Sequence, residues 1–223
     1  MKRRVLATLL AAVLSVVACG DGEVINPPVR FATLAELTGP WRATPLFLDP
    51  ALRARVADVC RREIELPPGA VPAVIDARGK GVVTVRMTGP IEASCDALEI
   101  PADGGGMMGA GGGWQRNPER LPAVPDTELT QLTRGRIAGG GLTVEGWSVN
   151  GRAGAAIAVV QLTIADGHVV RATLENGWFS AWWPAIIPEE REVPPPFPQV
   201  VIRGFDGTGV LRDSATSDEV GGP

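Results

Sequence analysis

Four acidic side chains, Asp76, Glu145, Glu175 and Asp206, stand in strand-like or turn-like surroundings and are the residues whose type best suits catalysis. Two of them could hydrolyse a glycosidic bond if their carboxyl groups stood about 5 to 9.5 Å apart, one as acid and the other as nucleophile or base. Their separation in sequence leaves that spacing open. Other chemistries are poorly supplied. The lone histidine, His168, follows "ADG" and reads as a solvated turn residue rather than a base. In "GWSVNG" a residue too many separates Ser148 from Gly151 for a Gly-x-Ser-x-Gly nucleophile elbow. One histidine and no Cys-x-x-Cys rule out the usual zinc sites. Asp103 and Asp206 adjoin glycines as calcium ligands often do, but no EF-hand spacing surrounds them. "DGGGMMGAGGG" lacks the Gly-Lys-Ser/Thr of a phosphate-cradling loop and reads as plain connection. Tyrosine is absent. No catalytic residue, metal or cofactor is assigned.

The N-terminus limits where such chemistry could take place. In "MKRRVLATLLAAVLSVVACGDGE", Lys2, Arg3 and Arg4 precede an uncharged apolar run from Val5 to Val17. That is the make-up of a secretory signal, and the run is short for a membrane-spanning helix. The run ends "VVAC", which resembles the lipobox of bacterial lipoproteins. The resemblance implies residues 1–18 as signal peptide and Cys19 as the first mature residue. Its thiol would carry a diacylglyceryl group and its amine a further acyl chain, and two or more chains anchor a protein firmly. The partner so implied is membrane lipid, with the chain on the extracytoplasmic side of the cell membrane. Residues 19–30, "GDGEVINPPVR" after the cysteine, read as a short polar tether stiffened by Pro27 and Pro28.

Removing Lys2, Arg3 and Arg4 from the 21 basic side chains leaves 18 against 25 acidic ones, a net charge of −7 with the α-amine acylated. Such a surface has no nucleic-acid footprint. Cys60 and Cys95 are then the remaining cysteines, and an even pair beyond the membrane argues for a disulfide.

The elements that would position these residues are mostly strands. "LDPALRARVADVCRREI" is the one clear mature helix: Asp49 caps it, Pro50 fills N1, and Leu52, Val56, Val59 and Cys60 share a face. Arg53, Arg55 and Asp58 fall on the opposite, solvated face. Val71–Ala77 and Val82–Met87 read as strands joined through "RGKG", followed by a strand in "IEASCDALEI" that carries Cys95. Residues 104–141 read as a Gly/Pro-rich connection without regular structure. Beyond it, Leu142–Val149, Val160–Ala165, Val170–Glu175 and Trp178–Trp183 alternate as strands, the last three joined by Asp166-Gly167 and Asn176-Gly177 turns into a meander. A closing hairpin spans "DGTG", and residues 214–223 read as a frayed tail.

"ENGWFSAWWP" sets Trp178, Ser180 and Trp182 on one face of its strand and Phe179, Ala181 and Trp183 on the other. One pair of rings is expected in the core and the other beneath the proline-rich return "PAIIPEEREVPPPFP". The alternative is an exposed aromatic shelf or a pocket lined by Trp147, Trp178 or Trp182 that takes a sugar or another small ligand. A helix-end cysteine, "IDARG", a valine-rich strand, a second cysteine and a later "NGWFSAWWP" are together similar to a family of uncharacterised exported actinobacterial proteins. That resemblance implies one continuous fold and the Cys60–Cys95 bridge, and it implies no activity.

The expected fold is mainly β (α+β), an antiparallel sandwich or two packed sheets with one disulfide-pinned helix near the start. Residues 31–103 would hold the helix, strands and disulfide, and residues 142–213 the meander region. The expected function is a membrane-anchored, non-catalytic interaction or structural module of the cell envelope, with another envelope protein or a glycan as partner. A carboxylate-dependent hydrolase and a small-ligand-binding lipoprotein are the alternatives.

Overall fold

A computed structural model describes residues 30–90, 92–101, 108–110, 115–116, 122–137, 144–185 and 196–216. The leader, Cys19, the tether up to Val29, Asp103 and most of the glycine-rich run lie outside the described residues.

A short helix, α1 (Leu34–Thr38), opens this part of the chain and is closed at its start by a Thr33–Glu36 capping box. The main helix, α2 (Pro50–Glu63), follows, with the Asp49 carboxylate accepting from the Leu52 amide and Arg61 and Arg62 in the last turn. Its stripe of Leu52, Val56, Val59 and Cys60 is buried, as the 3.6-residue spacing requires. Three antiparallel strands come next, β1 (Val71–Ala77), β2 (Val82–Thr88) and β3 (Glu92–Glu99). β4 (Met108–Ala110) and β5 (Gln115–Arg116) both pair with β3 and complete sheet A. Odd-numbered side chains of β2 (Val83, Val85, Met87) pack under α2, and Cys95 of β3 bonds to Cys60 with Cα atoms 5.8 Å apart. The disulfide-pinned helix is therefore where the sequence pattern placed it.

The rest of the chain builds two more sheets. β6 (Leu129–Ile137) and β7 (Gly146–Ala153) pair, and β8 (Val159–Thr163) leads through the Asp166-Gly167 turn to β9 (Val169–Arg171). β10 (Thr173–Glu175) and β11 (Trp178–Pro184) form a hairpin at Asn176-Gly177, and β12 (Val201–Phe205) and β13 (Leu211–Thr216) form the closing one. Sheet B runs β10-β11-β7-β6 and sheet C runs β13-β12-β8-β9. The layers stack as α2, sheet A, sheet B, sheet C.

The mainly antiparallel β architecture agrees with the sequence reading, with three sheets sharing the strands. Several details differ from it. The segment Val170–Glu175 is not one meander strand: it breaks at Ala172, where the chain leaves sheet C for sheet B, so β9 pairs with β8 and β10 with β11. β4, β5 and β6 all lie inside the stretch read as unstructured connection, β4 within the glycine-rich run itself; in β6 a bulge between Thr130 and Thr133 spoils the period of two that would mark a strand. β7 sits four residues later than expected, with Asn150 and Gly151 paired opposite Ser180 and Phe179 instead of turning. β13 extends to Thr216, into the expected tail.

The Cys60–Cys95 bridge spans 35 residues of sequence and closes α2 onto the centre of sheet A. In the chain-entropy picture such a loop contributes about 4 kcal/mol by restricting the unfolded chain. A Cys60→Ala/Cys95→Ala variant is expected to unfold in urea with about 4 kcal/mol less stability, and an unchanged midpoint would refute that assignment.

Candidate functional site

β11 lies between two sheets, and this explains its run of rings. Trp178, Ser180 and Trp182 face sheet A, while Phe179, Ala181 and Trp183 face sheet C. All four aromatic residues are buried, and Trp147 is buried beside them. The face assignment read from the sequence is right: among the described residues sheet A covers the Trp178 and Trp182 pair. The return supplies Phe197, which meets Trp147 and Trp183 edge-on at centroid distances of 5.3 and 6.0 Å. Trp147, Trp178 and Trp182 thus form no exposed shelf, because strands on both faces of sheet B take their surface.

The two interfaces of sheet B differ chemically. Toward sheet C the packing is apolar, with Val149, Val160, Leu162, Phe179 and Ile202 at its centre. Toward sheet A it is polar and charged: Asp76, Arg78, Thr84, Arg86, Glu92, Ser148, Thr173 and Ser180 are all buried. The Thr84 and Ser180 hydroxyls lie 3.0 Å apart across the layers. Arg86 and Arg152 stand over the Trp178 ring, 5.5 and 5.4 Å from its centroid, and Arg86 donates to the Thr133 hydroxyl. Arg86 also lies 3.8 Å from Glu92.

Asp76 is the centre of this layer. It accepts from Arg78 Nε at 2.8 Å, from the Thr173 hydroxyl at 2.5 Å and from the Trp182 amide at 3.1 Å. The last bond has a structural cause. β10 pairs with β11 from Trp178 to Ser180 and then departs for sheet C, so among the described residues the Trp182 amide faces no strand on that side. The Asp76 carboxylate stands where a ladder carbonyl would have been. Arg78 in turn donates to the Ala43 and Arg171 carbonyls, tying sheet A to the 39–46 loop and to sheet C. Burial pushes the Asp76 carboxyl above the ordinary carboxylate range, while Arg78, Thr173 and Trp182 pull it back.

Glu175 lies at the edge of the same layer. Arg53 of α2 grips it with both guanidinium nitrogens, at 3.0 and 2.7 Å, and the Ile75 amide approaches at 3.4 Å. Arg53 therefore belongs to an inter-element ion pair, not to a merely solvated helix face as its position in the sequence suggests. Asn176 adds a bond from its side-chain amide to the Ala73 carbonyl. "IDARG" and "ENGWFSAWW", distant in sequence, thus meet through Asp76, Arg78, Glu175, Asn176 and Trp182.

The other candidate residues are dispersed. Glu145 stands 3.7 Å from Arg136 at the end of sheet B. Asp206 organises the β12–β13 turn, accepting from Thr208 and Val210 amides, the Thr208 hydroxyl and Arg212. These bonds hold its carboxyl well below the usual carboxylate range, the Thr208 hydroxyl contributing most. His168 is exposed on its turn, its Nδ1 2.8 Å from Asp166. Ser148 is buried under Gly135 and reaches no solvent. Among the described residues, no three or more His, Cys, Asp or Glu side chains gather as metal ligands would. Each of the four acids named from the sequence already answers an arginine, and Asp76 has no water access.

Two clefts open beside this layer, on either side of Phe47. One, of about 240 Å³, is lined by Phe31, Leu46, Phe47, Leu48, Ile75 and the Arg53–Glu175 pair. The other, of about 250 Å³, lies between Phe47, Pro45, Val159, Arg171 and Leu174. Comparison of the chain with protein-family models, curated proteins and solved structures finds no match.

Removing Asp76 leaves the Arg78 guanidinium buried without its counter-charge, so Asp76→Ala is expected to cost about 3 to 5 kcal/mol in urea unfolding. A loss under 1 kcal/mol, on the order of an exposed pair, would contradict the central role given to this carboxylate. Asp206 acts in the opposite pH sense to a group charged by acid. Its folded-state pKa is depressed, so its contribution is complete above the ordinary carboxylate range and fades as pH falls through and below it. The stability gap between the native protein and Asp206→Asn should therefore narrow on acidification from neutrality; a gap independent of pH would show that its charge contributes nothing.

Proposed function

We propose that this chain is a membrane-anchored extracytoplasmic lipoprotein whose folded part is a non-catalytic interaction or structural module of the cell envelope. The observation that carries the reading is "VVAC" at Val16 to Cys19, placed directly behind a basic and then apolar leader. The buried Cys60–Cys95 disulfide supports it, because such bonds persist in oxidising compartments and are rare in the cytosol. The use of the acids supports the non-catalytic half. Asp76, Glu145, Glu175 and Asp206 are each engaged by an arginine, and a general acid or base needs a carboxyl group within reach of substrate.

Partner contact on this reading falls to the exposed surface, since the tryptophans that would have stacked on a glycan are buried. An envelope protein is thus favoured over a sugar as partner. Radiolabelled palmitate supplied to cells expressing the full chain is expected to enter the native protein and not Cys19→Ala. Label retained by that variant would reject Cys19 as the acylated residue.

A further inference from the structure

The end of the molecule where the tether joins the fold has an unusual surface. Phe31 and Phe47 are 46% and 48% exposed and Leu34 is 37% exposed. The two phenylalanines are neighbours, because the Ala32 amide donates to the Phe47 carbonyl, and they line the same cleft. Cations occur on the same and the adjoining segments. Arg30 and Arg42 both reach Glu36, the only acid between residues 30 and 48. Lys80 is exposed on the β1–β2 turn, which hydrogen bonds to the end of α1 through Lys80 amide to Gly39 carbonyl and Gly81 amide to Leu37 carbonyl. Gly79 and Gly81 permit that contact: both have positive φ, and a Cβ at Gly79 would lie 2.4 Å from the Pro40 carbonyl oxygen. With Arg53 and Glu175, which line the same cleft, and Asp49 next to it, four cations stand here against three acids, whereas the mature chain as a whole is acidic.

We infer that this end, which carries the exposed Phe31, Leu34 and Phe47 together with Arg30, Arg42 and Lys80, rests against an anionic lipid surface. The inference builds on the lipoprotein reading. Ten residues lie between Cys19 and Arg30, and the eleven Cα steps across them span at most about 40 Å even when fully extended. Along the chain, Phe31 is thus the first large apolar side chain of the fold to meet the bilayer. Aromatic rings favour the headgroup level, where their apolar bodies leave water, and arginine and lysine stems lie along apolar surface with their charges at phosphates. Each basic residue at an anionic membrane strengthens the contact about fivefold. A glycan or an acidic peptide would satisfy the cations but gives no reason for the patch to stand at the tether's own end.

Lys80 is the only lysine after Lys2, so its acylation, separated from that of the Cys19 α-amine by peptide mapping, reports on the patch. In the mature chain with an unmodified Cys19, that thiol can be coupled chemically to a maleimide lipid, which makes the experiment independent of whether cells acylate it. On vesicles of phosphatidylcholine with phosphatidylglycerol, Lys80 is expected to react with a water-soluble succinimidyl ester several-fold more slowly than in the free protein. Phe31→Ser/Phe47→Ser, at two exposed positions, should restore the free rate, and phosphatidylcholine alone should give weaker protection. Equal Lys80 reactivity on vesicles and in solution, or protection that survives the double substitution, would overturn the inference. Failure of palmitate labelling would instead overturn the anchor and leave this measurement standing.

Discussion

A carboxylate with no access to water sets the terms for the centre of this protein. Asp76 meets a guanidinium, a hydroxyl and a backbone amide, each from a different part of the chain or a different strand. An uncompensated charge in such a place costs several kcal/mol, so the arrangement is stable only when every donor is present at once. Sheet A, the β10–β11 hairpin and the sheet-switch at Ala172 are therefore coupled. If β10 continued beside β11, the Trp182 amide would have a ladder partner and Asp76 would lose one of its three donors. The break between β9 and β10 and the buried acid explain each other.

The contrast between the two faces of sheet B follows from the same point. Apolar side chains between sheets B and C reward contact without much regard to direction, because burial of hydrocarbon is proportional to area. The polar layer between sheets A and B rewards particular pairings. Thr84 with Ser180, Asn176 with the Ala73 carbonyl and Arg53 with Glu175 are directional, and a shift of one residue along β11 would turn every partner to the wrong face. Sheet C supplies adhesion and sheet A supplies register. Since β11 takes part in both, its four rings can all be buried although they alternate sides.

Much of this was legible in the sequence where local rules govern. Asp49 and Pro50 mark the start of α2, the Asp-Gly and Asn-Gly turns mark two hairpins, and period-two alternation divides the rings of β11 between its faces. What stayed hidden depends on partners remote in the chain. Arg53 looks like a solvated helix residue until Glu175, 122 positions away, is brought beside it. Val170 to Glu175 alternates without a flaw, so nothing local marks the crossing at Ala172. In β6 a bulge removes the one regularity a reader could use. Asp76 was named as a candidate for chemistry, and its type was informative, but the sequence could not say that its neighbours would be Arg78 and a strand edge rather than substrate.

The same placement bears on function. A carboxylate used as a permanent acceptor cannot serve as a proton shuttle, because each turnover would leave Arg78 unopposed in a buried layer at the moment of protonation. Glu175 is nearer the surface, beside a cleft, yet protonating it would release Arg53 and loosen α2 from the β10–β11 hairpin. Catalysis at either acid would therefore work against the contacts that hold the sheets in register. The surface around Phe31 and Phe47 carries no such obligation, since its side chains are exposed and the fold beneath is held by Leu37, Leu48 and the hydrogen bonds of the β1–β2 turn. Contact there can form and break without disturbing the buried charges, which is the freedom that the proposed role as a tethered interaction module would require.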